Sequence, residues 1–140
     1  MHSTFDLDRF VSAQEDQYPH ALCEIKNGKK ESHWMWFIFP QIEGLGLSSM
    51  NVKYAIKSRA EAIAFLQHSV LGPRLREITE ALLLVNNKPA IEIMGSSDYP
   101  KLKSCMTLFA FVSNEHSIFQ KVLDKYFGGE FDERTIDLLD

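Results

Sequence analysis

The stretch Ser32-His33-Trp34-Met35-Trp36-Phe37-Ile38-Phe39-Pro40-Gln41 constrains this chain more than any other. Both tryptophans of the protein lie in it, and four of the seven residues from His33 to Phe39 are aromatic. Lys29, Lys30 and Glu31 precede it, and the glycine-punctuated turn Gly44-Leu45-Gly46 follows. A run this apolar has to leave water, and it carries His33 and Gln41 in with it. Buried polar groups cost free energy unless they are hydrogen-bonded, so both side chains need a partner or a ligand. The segment therefore points to a site without naming its chemistry.

A chain of 140 residues predicts one domain, residues 1–140, able to bury about two-thirds of its unfolded surface. Hydrophobic content of 45% beside 24% charged residues is that of an ordinary globular protein. The net charge of −4 supplies no basic excess to neutralise phosphates, so duplex nucleic acid is not an expected partner. The N-terminus lacks a basic region followed by an apolar run, and no apolar stretch approaches the ~18 residues of a membrane span. Cys23 and Cys105 have no metal-ligand spacing and read as reduced thiols. A cytoplasmic protein that meets no membrane is expected.

Helical signals dominate the chain. Asp6 is placed to cap a first helix through about Gln17, with Leu7, Phe10, Val11 and Gln14 at helical spacing. Pro19 then starts a second helix, which stops at Asn27-Gly28. The aromatic run reads as a short helix or irregular segment, because no strong strand candidate exists to pair with it. Ser58 caps Arg59–His68, with Glu61 completing a capping box. Pro73 starts a helix that carries Leu75, Ile78, Leu82 and Val85 and ends at Asn86-Asn87. A short segment, Ala90–Met94, stops at Gly95. Ser97 or Asp98 caps a helix bearing Leu102, Cys105, Met106, Phe109 and Val112, with Leu108 and Phe111 on another face. Being apolar most of the way round, it belongs at the centre. Ile118 to Phe127 form an amphipathic helix ended by Gly128-Gly129, and Asp132 caps a last one. The predicted fold is all-α, a single compact irregular bundle of about seven helices.

His33 is the candidate catalytic residue, a general acid or base. The competing reading is a core histidine bonded to a backbone carbonyl. Trp36 would stack on a planar ligand, or would simply be core. Lys101 and Ser104 lie one turn apart at a helix start, where anions are favoured. Gln41 and Tyr54 complete the expected lining, and Glu24 would pair with His33 if the first helices pack on the aromatic run. The Gly44-Leu45-Gly46 turn lacks the setting of a dinucleotide-binding fingerprint. No zinc spacing, nucleophile elbow or P-loop occurs, so no metal and no cofactor are implied.

The segment from Lys30 to Gln41, followed by Gly44-Leu45-Gly46, resembles the signature of the bacterial and plant family called domain of unknown function 1810. Further matches are Arg9-Phe10-Val11 with Ala13-Gln14, Tyr54-Ala55-Ile56, Leu71-Gly72-Pro73-Arg74-Leu75, Asp98 with Lys101-Leu102, and Ser104 through Phe109. The resemblance runs from about Asp6 to Leu138 and implies a mainly helical domain with no established activity.

Two functions are open at this point. One is a domain that binds, and if chemistry occurs acts on, a small planar anion such as a nucleotide or nucleotide-sugar derivative. Its pocket would be aromatic-walled and lined by His33, Trp36, Gln41, Tyr54, Lys101 and Ser104. The other is a non-catalytic protein-interaction module or homo-oligomeric structural domain. The two differ in whether His33, Gln41 and Lys101 converge on a cavity or are satisfied within the protein. The sequence leaves the oligomeric state open.

Overall fold

The computed structural model describes residues 5–139. Among them lie nine helices and no strand, an all-α fold as the periodicity predicts. In chain order these are α1 (Asp8–Lys26), α2 (Met35–Ile38), α3 (Ser49–Lys53), α4 (Arg59–Gln67), α5 (Leu71–Leu84), α6 (Ala90–Met94), α7 (Tyr99–Phe111), α8 (Ile118–Phe127) and α9 (Glu133–Leu138). Helix α7 packs against α4, α6, α8 and α9, while α5 packs against α1, α4 and α8. The central position expected for α7 follows from its burial, which runs unbroken from Ser104 to Phe109.

The expected break at Pro19 is absent, because α1 runs straight through it. A proline inside a helix costs ~3 kcal/mol or more. Phe10, Gln14, Tyr18, Ala21 and Ile25 are buried along one face on both sides of it. Pro19 itself is exposed. The interrupted backbone bond therefore faces water, and core burial at ~1.5–3 kcal/mol per large apolar side chain outweighs the loss. Asp6 does not cap this helix; Leu7 takes the cap position without a side-chain bond. Helix α5 begins at Leu71, two residues before Pro73. His68 holds that start, its Nδ1 accepting the Val70 and Leu71 amides at 3.1 and 3.2 Å. Gly72 is required there, since a Cβ would lie 2.1 Å from the Leu66 carbonyl oxygen.

A chain of rings crosses the core. Phe37 meets Tyr54 at 5.4 Å, Tyr54 meets Phe10 at 5.8 Å, and Phe10 meets Phe65 edge-on at 5.1 Å. Phe65 continues to Phe109, and Phe109 to Phe119. Such tilted and edge-on pairs are favoured over face-to-face stacking. The aromatic segment is thereby joined to α1, α4, α7 and α8.

Two ionic anchors fix the loops around that core. Arg9 donates to the Glu61 carboxylate at 3.0 Å, to the carbonyls of Lys53 and Ala55 at 2.8 and 2.7 Å, and to the Asp6 carbonyl. Glu61 is buried, and its second oxygen accepts the Lys57 amide at 2.7 Å. Ser58 caps α4 by accepting the Glu61 amide, but Glu61 reaches back to Lys57 rather than to Ser58. The second anchor is Glu24, in the last turns of α1. Its carboxylate accepts the amides of Glu31 and Ser32 at 2.8 and 3.0 Å, the Ser32 hydroxyl at 2.6 Å and the Trp34 indole N–H at 2.9 Å. Gln14 adds a third tie by donating to the Phe37 carbonyl at 2.7 Å. The aromatic segment thus lies along α1 as the irregular stretch and four-residue α2 that the sequence predicts. Its far end makes a lone bridge, in which the Ile56 amide donates to Gln41 and the Glu43 amide to Ile56, each at 2.8 Å.

Burial alone would raise the Glu24 carboxyl, but its four hydrogen bonds more than offset that and hold it at about 2 against an ordinary 4.5. The stabilisation is complete above the ordinary value and is lost as pH falls toward the folded one. Glu24→Gln should therefore flatten the acid limb of the stability curve below pH 4.5, read by urea unfolding across pH. Arg9→Ala strands the buried Glu61 carboxylate and should cost ~3–5 kcal/mol. Trp34→Ala removes a fully buried ring and should cost ~3–5 kcal/mol, whereas Trp36→Ala, at a half-buried position, should cost clearly less. Equal losses for the two tryptophans would contradict this packing.

Candidate functional site

Trp36, Gln41 and Lys101 form the ridges between three hollows. The first is a cleft of about 470 Å³ between the Lys30–Trp36 segment and the Met94–Lys101 turn, and His33, Trp36 and Lys101 line it. The second, about 440 Å³, lies on the other side of Lys101 and is lined by Gln41, Lys101 and Ser104 among others. The third lies among Trp36, Gln41 and Tyr54 and has a volume of only about 10 Å³, room for one water. The expected lining residues are thus brought into one neighbourhood but not onto one cavity.

His33 departs most from expectation. It is exposed on the rim of the first cleft rather than carried into the core. The backbone explains this. Glu24 takes the indole of Trp34 inward, and the residue before it, in the turn preceding α2, is left facing water. Nor does Glu24 pair with His33; its carboxylate accepts instead from Glu31, Ser32 and Trp34, three of the four bonds on Oε1. Trp34 is core, while Trp36 is half-buried and presents its ring to the cleft. Tyr54 is buried against Phe10 and Phe37, so most of its ring serves the core.

The electrostatic centre of the first cleft is Asp98. It occupies the cap position of α7 but makes no capping bond. Its carboxylate instead bridges Lys30 at 2.9 Å and Lys101 at 3.3 Å. The Lys30 side chain is only 7% exposed. Its ammonium also donates to the Ser32 carbonyl and stands 4.8 Å above the Trp34 ring. Lys101 is the accessible cation, 29% exposed, with its ammonium 6.0 Å from the Trp36 ring centre. The lining carries two ammonium groups, Lys30 and Lys101, and two carboxylates, Asp98 and the exposed Glu31, so its formal charges balance and Lys101 supplies a local positive point rather than a net positive cleft. The amides of Ser96, Ser97 and Asp98 in the adjoining turn have no protein acceptor among the described residues. An anion on this turn would meet the part-exposed ammonium of Lys101, which it would share with Asp98, together with unpaired amides and an aromatic wall.

Ser104 is buried, with its hydroxyl 3.1 Å from the Asp132 carboxylate and 3.2 Å from the Pro100 carbonyl. It supports the α9 cap rather than standing open to a ligand. Sequence reasoning missed Lys30, whose signal was its place at the head of the aromatic motif, and it assigned Asp98 only a capping role. Arg74 and Arg76 serve the fold: Arg74 lies over the Tyr18 ring and Arg76 donates to the Leu66 carbonyl. Cys23 and Cys105 are free, and burial pushes the Cys105 thiol well up, which makes it a poor nucleophile. Among the described residues no cluster of His, Cys, Asp or Glu could hold a metal ion, and no helix is long and apolar enough to cross a membrane.

A family model described as protein of unknown function (DUF1810) matches residues 4–139. Among solved structures, the chain is similar to the crystal structure of the conserved hypothetical protein Rv1873 from Mycobacterium tuberculosis. The two are 47% identical, 98% of each chain is covered, and the TM-score is 0.96. No curated protein matches. With nearly its whole length matched, the chain belongs to the DUF1810 family of proteins of unknown function.

Proposed function

We propose that the cleft between the aromatic segment and the start of α7 binds a small planar anion of the nucleotide type. The observation that carries this reading is the Lys30–Asp98–Lys101 arrangement beside Trp36. Lys30, buried and fixed, holds Asp98 in place, and Asp98 positions Lys101 toward the open cleft. A phosphate or carboxylate would pair with Lys101 and with the free amides of the Ser96–Asp98 turn. The Trp36 ring would take the planar part of the ligand by stacking. Aromatic rings accept nucleobases without demanding a particular base, so this geometry supports the class of ligand rather than one member. His33 stands on the same rim within the solvent, and if the bound molecule reacts, it is the group placed to move a proton. The two free thiols suit the reducing interior of a cell.

A thermal-shift panel of nucleotides, nucleotide sugars and inorganic phosphate tests this. Ligand at 100-fold above its dissociation constant adds about 2.7 kcal/mol, several degrees for a domain of this size. The shift should vanish in Lys101→Ala, while Trp36→Ala should weaken nucleotides more than inorganic phosphate. His33→Ala should leave stability within about 0.5 kcal/mol, as for an exposed side chain. A silent panel, together with a sedimentation mass above the monomer, would instead favour the interaction-module reading.

A further inference from the structure

The hollow on the other side of Lys101 carries more positive charge than the fold requires. Lys101, Lys103 and Arg134 all face it, against the single carboxylate of Asp132. That carboxylate is engaged: one oxygen caps α9 by accepting the Thr135 amide at 3.2 Å, and it also takes the hydroxyls of Thr135 and Ser104. Neither Lys103 nor Arg134 has a salt bridge or a side-chain hydrogen bond among the described residues. Lys101 is paired with Asp98, so Lys103 and Arg134 are the two cations without a carboxylate partner on this concave surface of about 440 Å³, a local exception in a chain of net charge −4. Like charges held together without counterions repel, and that repulsion is relieved when an anion binds. The hollow is also walled by the half-buried rings of Tyr99 and Phe127.

We propose that this hollow is a second anion subsite, and that the natural ligand carries two linked anionic groups, as a nucleoside diphosphate or its sugar conjugate does. Lys101 lines both hollows, so it stands between the two groups and contacts each. The first group lies on the Ser96–Asp98 turn beside Trp36, and the second meets Lys103 and Arg134. The guanidinium of Arg134 is suited to two-pronged recognition of phosphate oxygens. This inference rests on the reading of the first cleft given above, and it adds the number and order of the ligand's charges.

Isothermal titration of the full chain with adenosine diphosphate and adenosine monophosphate at one fixed salt concentration tests it. The diphosphate should bind at least about tenfold more tightly, the weight of one charge-assisted contact. Arg134→Ala and Lys103→Ala should each erase that advantage and leave monophosphate affinity unchanged, whereas Lys101→Ala should weaken both ligands. Monophosphate binding without a diphosphate advantage would overturn the second subsite and leave the first cleft standing. Equal weakening of both nucleotides by Arg134→Ala would overturn it as well. If neither nucleotide binds the unaltered chain, both readings are overturned together.

Discussion

The Glu24 carboxylate is the interaction on which the site depends. An aromatic segment of this composition would bury itself in any orientation that removed its rings from water, because apolar burial has no direction. Direction comes from the carboxylate, which takes two backbone amides, one hydroxyl and the Trp34 indole at distances between 2.6 and 3.0 Å. These four bonds choose which tryptophan goes inward. With Trp34 in the core, His33 is turned to solvent and Trp36 to the cleft rim. Charged acceptors make stronger hydrogen bonds than neutral ones, and here the ionised form is held down to about 2.

The second half of the cleft is built by different means. Helix α7 begins at Tyr99 after a turn whose Ser96, Ser97 and Asp98 amides have no acceptor among the described residues, and Lys30 reaches across from the end of α1 to its Asp98. One buried ammonium thus joins the two walls. It sits over the ring of the same Trp34 that Glu24 holds, so the carboxylate, the indole, the ammonium and Asp98 form one connected network. Removing a member from such a network costs more than a single pairwise contact suggests. Arg9 and Glu61 play the corresponding role at the other end of α1, fixing the loop between α3 and α4.

Much of this fold was legible in the sequence. The all-α class, the irregular aromatic segment, the central α7 and the starts of α4 and α9 at Ser58 and Asp132 follow from periodicity and capping chemistry. Pro19 was misleading because its penalty is local, whereas the buried face of α1 continues for turns on either side. His68 as the bond acceptor at the start of α5 was invisible, since histidine rarely plays that part and nothing in its spacing announces it. Of the candidate lining, the neighbourhood was legible more than the arrangement: Ser104 is bonded within the fold and Tyr54 is packed in the core. Trp36, Gln41 and Lys101 do share a neighbourhood. Which of two neighbouring tryptophans is buried depends on Glu24, ten residues before Trp34, and sequence carries no distance between them.

The two indole N–H groups offer the most direct reading of that arrangement. Trp34 Nε1 donates to Glu24 from a fully buried ring, whereas Trp36 is half-buried, lines the cleft, and its Nε1 has no protein acceptor among the described residues. Deuterium exchange of the two indole resonances by NMR separates them. Strong protection for one indole, rapid exchange for the other, and loss of the protection in Glu24→Ala are the expected results. Two indoles that exchange alike, or a protected indole unaffected by Glu24→Ala, would contradict the claim that Glu24 orients the aromatic segment and builds the cleft.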